Sequence, residues 1–269
     1  MQRMIRLSDG AETTLDIWGE SGPWVVGVHG VGSSRRGWAR IGAALAESGY
    51  RTAAFDQRGH GESAHVGDMT FARSVQDVVD VAAALGEPVR ALIGHSWGGA
   101  CVIGAGRALG QAQRDQVRVV AIDPMLHAER GVWSGSVMPE YEKLLAMATD
   151  EREQSIRKRS AALPEVEIEA KLHAGRHIGL GPIRALGTEN GIDEGRWTFR
   201  HLLDGYPLPL LIAVAGLARS VFLEADRRYA LERGGPNVTV AVYEGASHSL
   251  QRDAFERFMP DLEAFLAPD

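Results

Sequence analysis

A serine stands at the centre of Gly94-His95-Ser96-Trp97-Gly98-Gly99, a Gly-x-Ser-x-Gly run. Directly before it lies the apolar stretch 89–93, and directly after it 100–105, whose composition suits the opening of a helix. A serine hydroxyl is a weak nucleophile at its own pKa. Acyl transfer asks for a base beside it, an exposed setting and donors for the oxyanion that forms. A tight strand-to-helix turn gives the exposure, and glycines on both sides are needed because side chains there would meet neighbouring backbone. A serine that only capped the helix would not call for that glycine pattern.

The elements needed to present such a turn can be read along the chain. Residues 4–7 and 14–18 are strand-like and separated by Asp9-Gly10, a hairpin signal. Residues 24–28 form a continuous apolar run of the kind buried on both faces of a parallel sheet. Helical spacing at 38–48, 71–85 and 97–109 then alternates with strands at 51–55, 89–93 and 117–122. Between about 125 and 206 no convincing strand occurs; 139–158 and 164–173 read as helices. Strands resume at 210–214 and 238–242, with helices at 224–232 and 250–266. Such alternation, opening on a hairpin, predicts an α/β fold with a mostly parallel sheet and helices on both faces. The long strand-free insertion predicts a helical cap, since structureless loops of that length are rare.

With 269 residues the chain suits one large domain with an insertion, or two modest ones. A net charge of -6 gives no basic footprint, so neither nucleic acid nor an anionic membrane surface is expected as a partner. The single cysteine, Cys101, excludes a disulfide within the chain and reads as a buried filler on the helix after the serine. No secretory-type apolar run opens the sequence. The longest apolar stretch, 208–218, falls short of the roughly 20 residues that span a bilayer. A cytoplasmic location is therefore the expectation. The sequence sets no oligomeric state.

Four motifs, in order, fall at strand ends: His29-Gly30-Val31-Gly32, Asp56-Gln57-Arg58-Gly59-His60-Gly61-Glu62-Ser63, the Ser96 run, and Glu244-Gly245-Ala246-Ser247-His248. Together they resemble the α/β-hydrolase fold family over essentially the whole chain. The resemblance implies a mostly parallel eight-stranded sheet. Residues 1–125 and 207–269 would form the core, and 126–206 a helical cap inserted after the sixth strand. It implies Ser96 as nucleophile, His248 as general base, and the backbone N–H groups of Val31 and Trp97 as the oxyanion hole. His60, Asp56 and Arg58 would serve their own loop. His29, Gly30 and His95 lie beside the site and would shape the substrate pocket, joined from the cap by Trp133 and Met138. His65, His127, His173, His177 and His201 have no metal-ligand spacing with a carboxylate partner, so neither a metal nor an organic cofactor is expected.

The third member of the triad departs from the family pattern. A carboxylate usually follows the seventh strand, but Arg219 and Ser220 stand there, with Glu224 and Asp226 beyond, at a helix start where negative charge suits the dipole. Asp123, directly after the sixth strand, is the other position open to the acid and the one favoured here, with Glu224 as the alternative. The expected activity is cleavage of an ester-like bond, of carboxylesterase or lactonase type, in a small organic substrate through an acyl-enzyme. Aromatic and Met residues of the cap (Tyr141, Met147, Trp197 and Phe199 beside Trp133 and Met138) would roof the pocket. The Ser-Trp-Gly-Gly turn also resembles that of proline iminopeptidases, for which Glu140, Glu142, Glu151, Glu153, Glu189, Asp193 or Glu194 could hold a substrate amine. Carbon–carbon bond hydrolysis on the same triad, a cofactor-free peroxidase-like side activity and a non-catalytic ligand-binding homologue are the other readings.

Overall fold

The structure, a computed structural model, describes residues 1–63, 67–110, 117–216 and 219–267; His65, Leu217 and Ala218 lie outside the described residues. Eight strands form a single sheet in the order β1-β2-β4-β3-β5-β6-β7-β8. They are β1 (Gln2–Arg6), β2 (Glu12–Trp18), β3 (Trp24–Val28), β4 (Arg51–Phe55), β5 (Val89–His95), β6 (Arg118–Ile122), β7 (Leu210–Ala215) and β8 (Val238–Tyr243). β1 and β2 pair antiparallel, β2 runs antiparallel to β4, and the remaining pairs are parallel. The central strands β3 and β7 are buried at every residue, which is why they read as unbroken apolar runs rather than alternating ones.

Successive residues of a strand face opposite sides, and two cores result. On one face Val25, Ile93, Val120 and Ala213 pack with Ile41 and Leu45 of α1 (Ala39–Glu47) and with Phe258 and Leu262 of the last helix. On the other, Val26, Leu92, Val119 and Ile212 pack with Val78 and Val81 of α2 (Phe71–Ala84) and with Val102 of α3 (Trp97–Leu109). Cys101 belongs to this second core and is buried.

Between β6 and β7 lie four α-helices: α4 (Met138–Leu145), α5 (Thr149–Arg159), α6 (Glu165–His177) and α7 (Leu180–Glu189). Two features here differ from the sequence expectation. The expected helix at 139–158 is two, because Ala148 turns extended and its N–H is taken by the Glu151 carboxylate, which starts α5 afresh. α7 has no counterpart in the sequence expectation; it accommodates Pro182 in its first turn, where no N–H is required. After β7 come α8 (Glu224–Arg233) and, following β8, α9 (Leu250–Asp253) and α10 (Phe255–Leu266). The last two were expected as one helix, but the backbone leaves helical geometry at Ala254. Among the described residues no helix is long and apolar enough to cross a membrane. The parallel strands bring the loops after β3, β5, β6 and β8 to one edge of the sheet, and those loops carry the candidate residues.

Candidate active site

Ser96 occupies the turn from β5 into α3 with φ 57° and ψ −116°. A non-glycine residue in that region costs on the order of 1–3 kcal/mol, which the surroundings must offset. They hold it tightly: its N–H donates to the Ile122 carbonyl at 2.9 Å, and its carbonyl accepts from Ala100 at 3.1 Å and Met125 at 3.2 Å. A side chain at Gly94 would collide with the Gly98 carbonyl, and one at Gly98 with the carbonyls of Val28 and His29. The glycine pattern is thus a packing requirement of the turn. The start of α3 lies immediately behind Ser96, so its first N–H groups and dipole favour negative charge there. Trp97 supplies the first of those N–H groups, and among the described residues neither it nor the Val31 N–H is used in a hydrogen bond.

Asp123 directly follows β6 and is fully buried, with φ 44°; it and Ser96 are the non-glycine residues of positive φ among the described residues. Its carboxylate accepts from the Ala215 N–H at 3.2 Å, the Val221 N–H at 3.0 Å and the Ser220 hydroxyl. The remaining partner is His248, whose Nδ1 lies 2.6 Å from Asp123 Oδ2. A carboxylate accepting there fixes the proton on Nδ1 and leaves the lone pair of the imidazole on Nε2. Ser220, which stands where the resemblance would place an acid, donates to the Asp123 carboxylate instead. Glu224 is mostly exposed at the start of α8, 3.7 Å from Arg227, and Asp226 caps that helix by accepting from the Leu223 N–H.

His95 donates from Nε2 to the His248 carbonyl at 2.9 Å, and the two rings lie 4.6 Å apart. Burial, with the neighbouring His248 ring, holds the pKa of His95 well below the usual histidine value, so it serves as a neutral donor fixing the His248 loop. His29 is buried as well: Nδ1 donates to the Gly30 carbonyl at 2.8 Å and Nε2 accepts from the Gln57 N–H at 3.0 Å. Burial lowers its pKa to about 3. It braces the Gly30-Val31 loop from below. His60 lies beneath too, buried, donating from Nδ1 to the Arg58 carbonyl at 3.0 Å. Asp56 accepts from the Arg35 and Glu62 N–H groups and pairs with the buried Arg35 guanidinium, while Arg58 pairs with Asp77 at 2.6 Å. Those residues tie loops together away from the serine.

A cavity of about 350 Å³ opens in front of Ser96, lined also by Val31, Gly32, Ser33, His95 and His248. Its other wall comes from the inserted helices: Leu144 of α4, Ile156 and Arg159 of α5, Lys171, Ala174 and Gly175 of α6, and Ile178. Tyr141 of α4 donates its hydroxyl to the Val31 carbonyl at 3.1 Å, which fastens the insertion to the candidate oxyanion loop. Trp133 and Met138, expected at the pocket, instead flank a separate cavity with Arg184 and Thr188, and the Trp133 indole donates to the Ile183 carbonyl. Trp197 and Phe199 likewise pack inward; Trp197 stacks on Trp97 at 4.5 Å and meets Phe199 edge-on. Gly30 contacts the site through close approach to Ser96 and His95 rather than as a lining residue of the larger cavity. The residues that sequence reasoning missed are Arg159, Lys171 and Arg252, which line the cavity from three separate helices and belong to no local pattern.

For metals the sequence expectation needs correcting in one respect. His173 and His177, an i, i+4 pair on α6, do find a carboxylate, since Glu62 from the loop after β4 brings its ligand atom within 4.8 Å of theirs. That carboxylate is already bound by the Arg35 guanidinium at 2.7 Å, and His173 Nδ1 by the Ser34 hydroxyl at 3.2 Å.

The sequence profile describing the alpha/beta hydrolase family matches residues 25–260. Epoxide hydrolase B of Mycobacterium tuberculosis is 39% identical over 82 residues, a match spanning 29% of this chain and 23% of that enzyme's length. The non-heme chloroperoxidase CPO-A1 of Kitasatospora aureofaciens is 27% identical over 273 residues, covering 96% of this chain and 97% of its own. Among solved structures, an esterase from Exiguobacterium antarcticum superposes with a TM-score of 0.75 at 19% identity, covering 99% of each chain.

Proposed function

Since the chain belongs to the alpha/beta hydrolase family, we propose that it is a serine hydrolase cleaving an ester-like bond, open-chain or lactone, in a small organic molecule. One observation carries the reading. Ser96, held in a left-handed turn, shares a cavity with His248, whose ring is bound to the fully buried Asp123. In this reading the Ser96 hydroxyl attacks the carbonyl carbon while His248 Nε2 takes its proton. Asp123 keeps the imidazole in the right tautomer and stabilises the imidazolium. The tetrahedral oxyanion accepts from the N–H groups of Val31 and Trp97, each worth on the order of 3 kcal/mol in the transition state. Collapse breaks the bond to the leaving oxygen, which departs with the His248 proton and leaves an acyl group on Ser96. Water, deprotonated by His248, then releases the carboxylic acid and restores the serine. Residues 126–206 act as a cap whose helices close the far wall of the cavity, as the lining by Leu144, Ile156 and Ile178 supports.

The aminopeptidase reading finds less support, because the cavity lining contains no carboxylate to hold an amine. Glu142, Glu153, Glu189, Asp193 and Glu194 are all bound elsewhere, to Arg184, Arg176, the Met69 N–H, the Trp133 N–H and Arg196. The likeness to a chloroperoxidase over most of its length supports a second, side reading. Hydrogen peroxide in place of water at the acyl-enzyme would release a peroxy acid from the same residues.

A fluorophosphonate probe together with a short 4-nitrophenyl ester tests the main reading. The expected outcome is covalent labelling and ester turnover, both lost in Ser96→Ala. A well-folded wild-type protein that neither labels nor turns over would replace the enzyme with a ligand-binding homologue.

A further inference from the structure

We propose that the cavity in front of Ser96 selects esters or lactones that carry a separate free carboxylate, bound by Lys171, Arg159 and Arg252. The inference rests on the serine-hydrolase reading and adds the charge of the substrate to it.

The three cations line the same cavity as Ser96 and His248, and no aspartate or glutamate lines it with them. A basic cavity runs against the charge of the whole chain, which is -6. The cations are also short of counter-charge. Among the described residues Lys171 has neither a hydrogen bond nor an ion pair, although it is half-buried. Among the described residues the Arg159 guanidinium bonds only the Ser155 carbonyl of its own helix, at 3.4 Å. Arg252 lies 3.0 Å from Glu167, a carboxylate buried behind the wall rather than in it. The carboxylates that act on Lys171 are Glu167 and Asp253, and neither lines the cavity.

Withdrawing an ammonium from water without a partner is unfavourable, and the usual remedies are an opposite charge or loss of the proton. Burial and then the nearby Arg252 pull the Lys171 pKa below the usual lysine value, the direction expected of a cation still missing its anion. A carboxylate on the substrate would supply it. Guanidinium and ammonium groups bind carboxylates by charge-assisted hydrogen bonds, strongest where water is scarce. Beside Ser33, Ser160 and Ser249, the residues Leu144, Ile156 and Ile178 give the cavity an apolar stretch that suits a short carbon chain between the acid and the bond to be cleaved.

The test compares 4-nitrophenyl hydrogen adipate with its methyl ester, the same chain with and without the charge, and includes 4-nitrophenyl acetate as a reading of the serine chemistry alone. The acid is expected to give the higher kcat/KM, by about tenfold or more, as one charge-assisted hydrogen bond implies. Lys171→Met should reduce that ratio by about tenfold, chiefly through KM, and 0.5 M salt should shrink it in the wild type. Arg159→Met, at an exposed helix end, serves if Lys171→Met folds poorly. Equal or better use of the methyl ester by the wild type, or a ratio unmoved by both substitutions, overturns the proposal. Calorimetric titration of monomethyl adipate and of dimethyl adipate into Ser96→Ala reads the anion site without turnover. Preference for the anion with no turnover of any ester by the wild type would retain the site and reject the hydrolase. Turnover of acetate with no such preference would do the reverse.

Discussion

The sheet edge and the inserted helices hold their residues by different means. At the edge, Asp123 is fully buried with every acceptor position engaged by Ala215, Ser220, Val221 and His248. Ser96 is locked in a strained turn by backbone bonds to two neighbouring segments. The helices α5 and α6 instead share a small cluster of Ile156, Ile168 and Leu172. Around it, mostly exposed pairs join Arg157 to Glu165 and Glu169 and Arg176 to Glu153. Exposed pairs of that sort contribute roughly 0–1 kcal/mol each. In the proposed reading the geometry for bond breaking is therefore fixed by the core of the protein, whereas the far wall of the cavity sits on helices that hold to one another mainly through a small cluster and exposed ion pairs. Changes in the second region should move selectivity and leave the first region's chemistry in place.

Substitutions at the edge probe that division most severely. Asp123→Asn should lower kcat by about 10⁴, since the imidazole loses its enforced tautomer, while its surroundings stay the same size. Glu224→Gln, on an exposed helix start, should leave kcat within about twofold. A reversal of those two results on any turned-over ester would move the acid to α8. A smaller loss is expected from Ser220→Ala, which removes one donor from a buried carboxylate: about tenfold in kcat, with KM unchanged. An unchanged kcat there would mean that the Ala215 and Val221 N–H groups hold Asp123 unaided.

The smallest effect concerns stability rather than rate. His29 and His60 lie buried under the edge and His95 half-buried in the cavity wall, all with pKa values below the usual one, and burial is the first cause in each. The unfolded chain takes up protons on these rings near pH 6.5, whereas folded His29 resists them down to about 3. Their contribution to stability is whole above pH 6.5 and is lost as pH falls toward the folded values. Denaturant unfolding midpoints should drop between about pH 7 and about pH 5, and His29→Asn, which can still donate to the Gly30 carbonyl, should flatten that slope. A slope indifferent to His29 would show that the other acidic-range groups dominate. The charge-selectivity test on Lys171 and Arg159 is the matching probe of the second region.

The two regions were also unequally legible. The serine turn could be read from residues adjacent in the chain, because glycine at 94 and 98 answers to local backbone approach. Asp123 could be reached only by noticing that Arg219 and Ser220 fill the usual position, and the structure brings it to His248. The service of Ser220 to that carboxylate had a faint signal, a hydroxyl where an acid was due. In the insertion the helices were readable by period, but not which way they face. Trp133 and Met138 turned to a different cavity, and Tyr141 proved to reach the Val31 carbonyl. Lys171, Arg159 and Arg252 gather from α6, α5 and α9, so only the tertiary packing makes them neighbours.

The most direct measurement is to catch the acyl group itself. Protein mixed with 4-nitrophenyl acetate, quenched in acid during the initial burst and digested, can have its peptides weighed. The expected result is one acetyl group on the peptide containing Ser96, absent when Ser96→Ala is treated alike. Acetyl carried stoichiometrically on another residue, or undiminished turnover by Ser96→Ala, would contradict the serine mechanism.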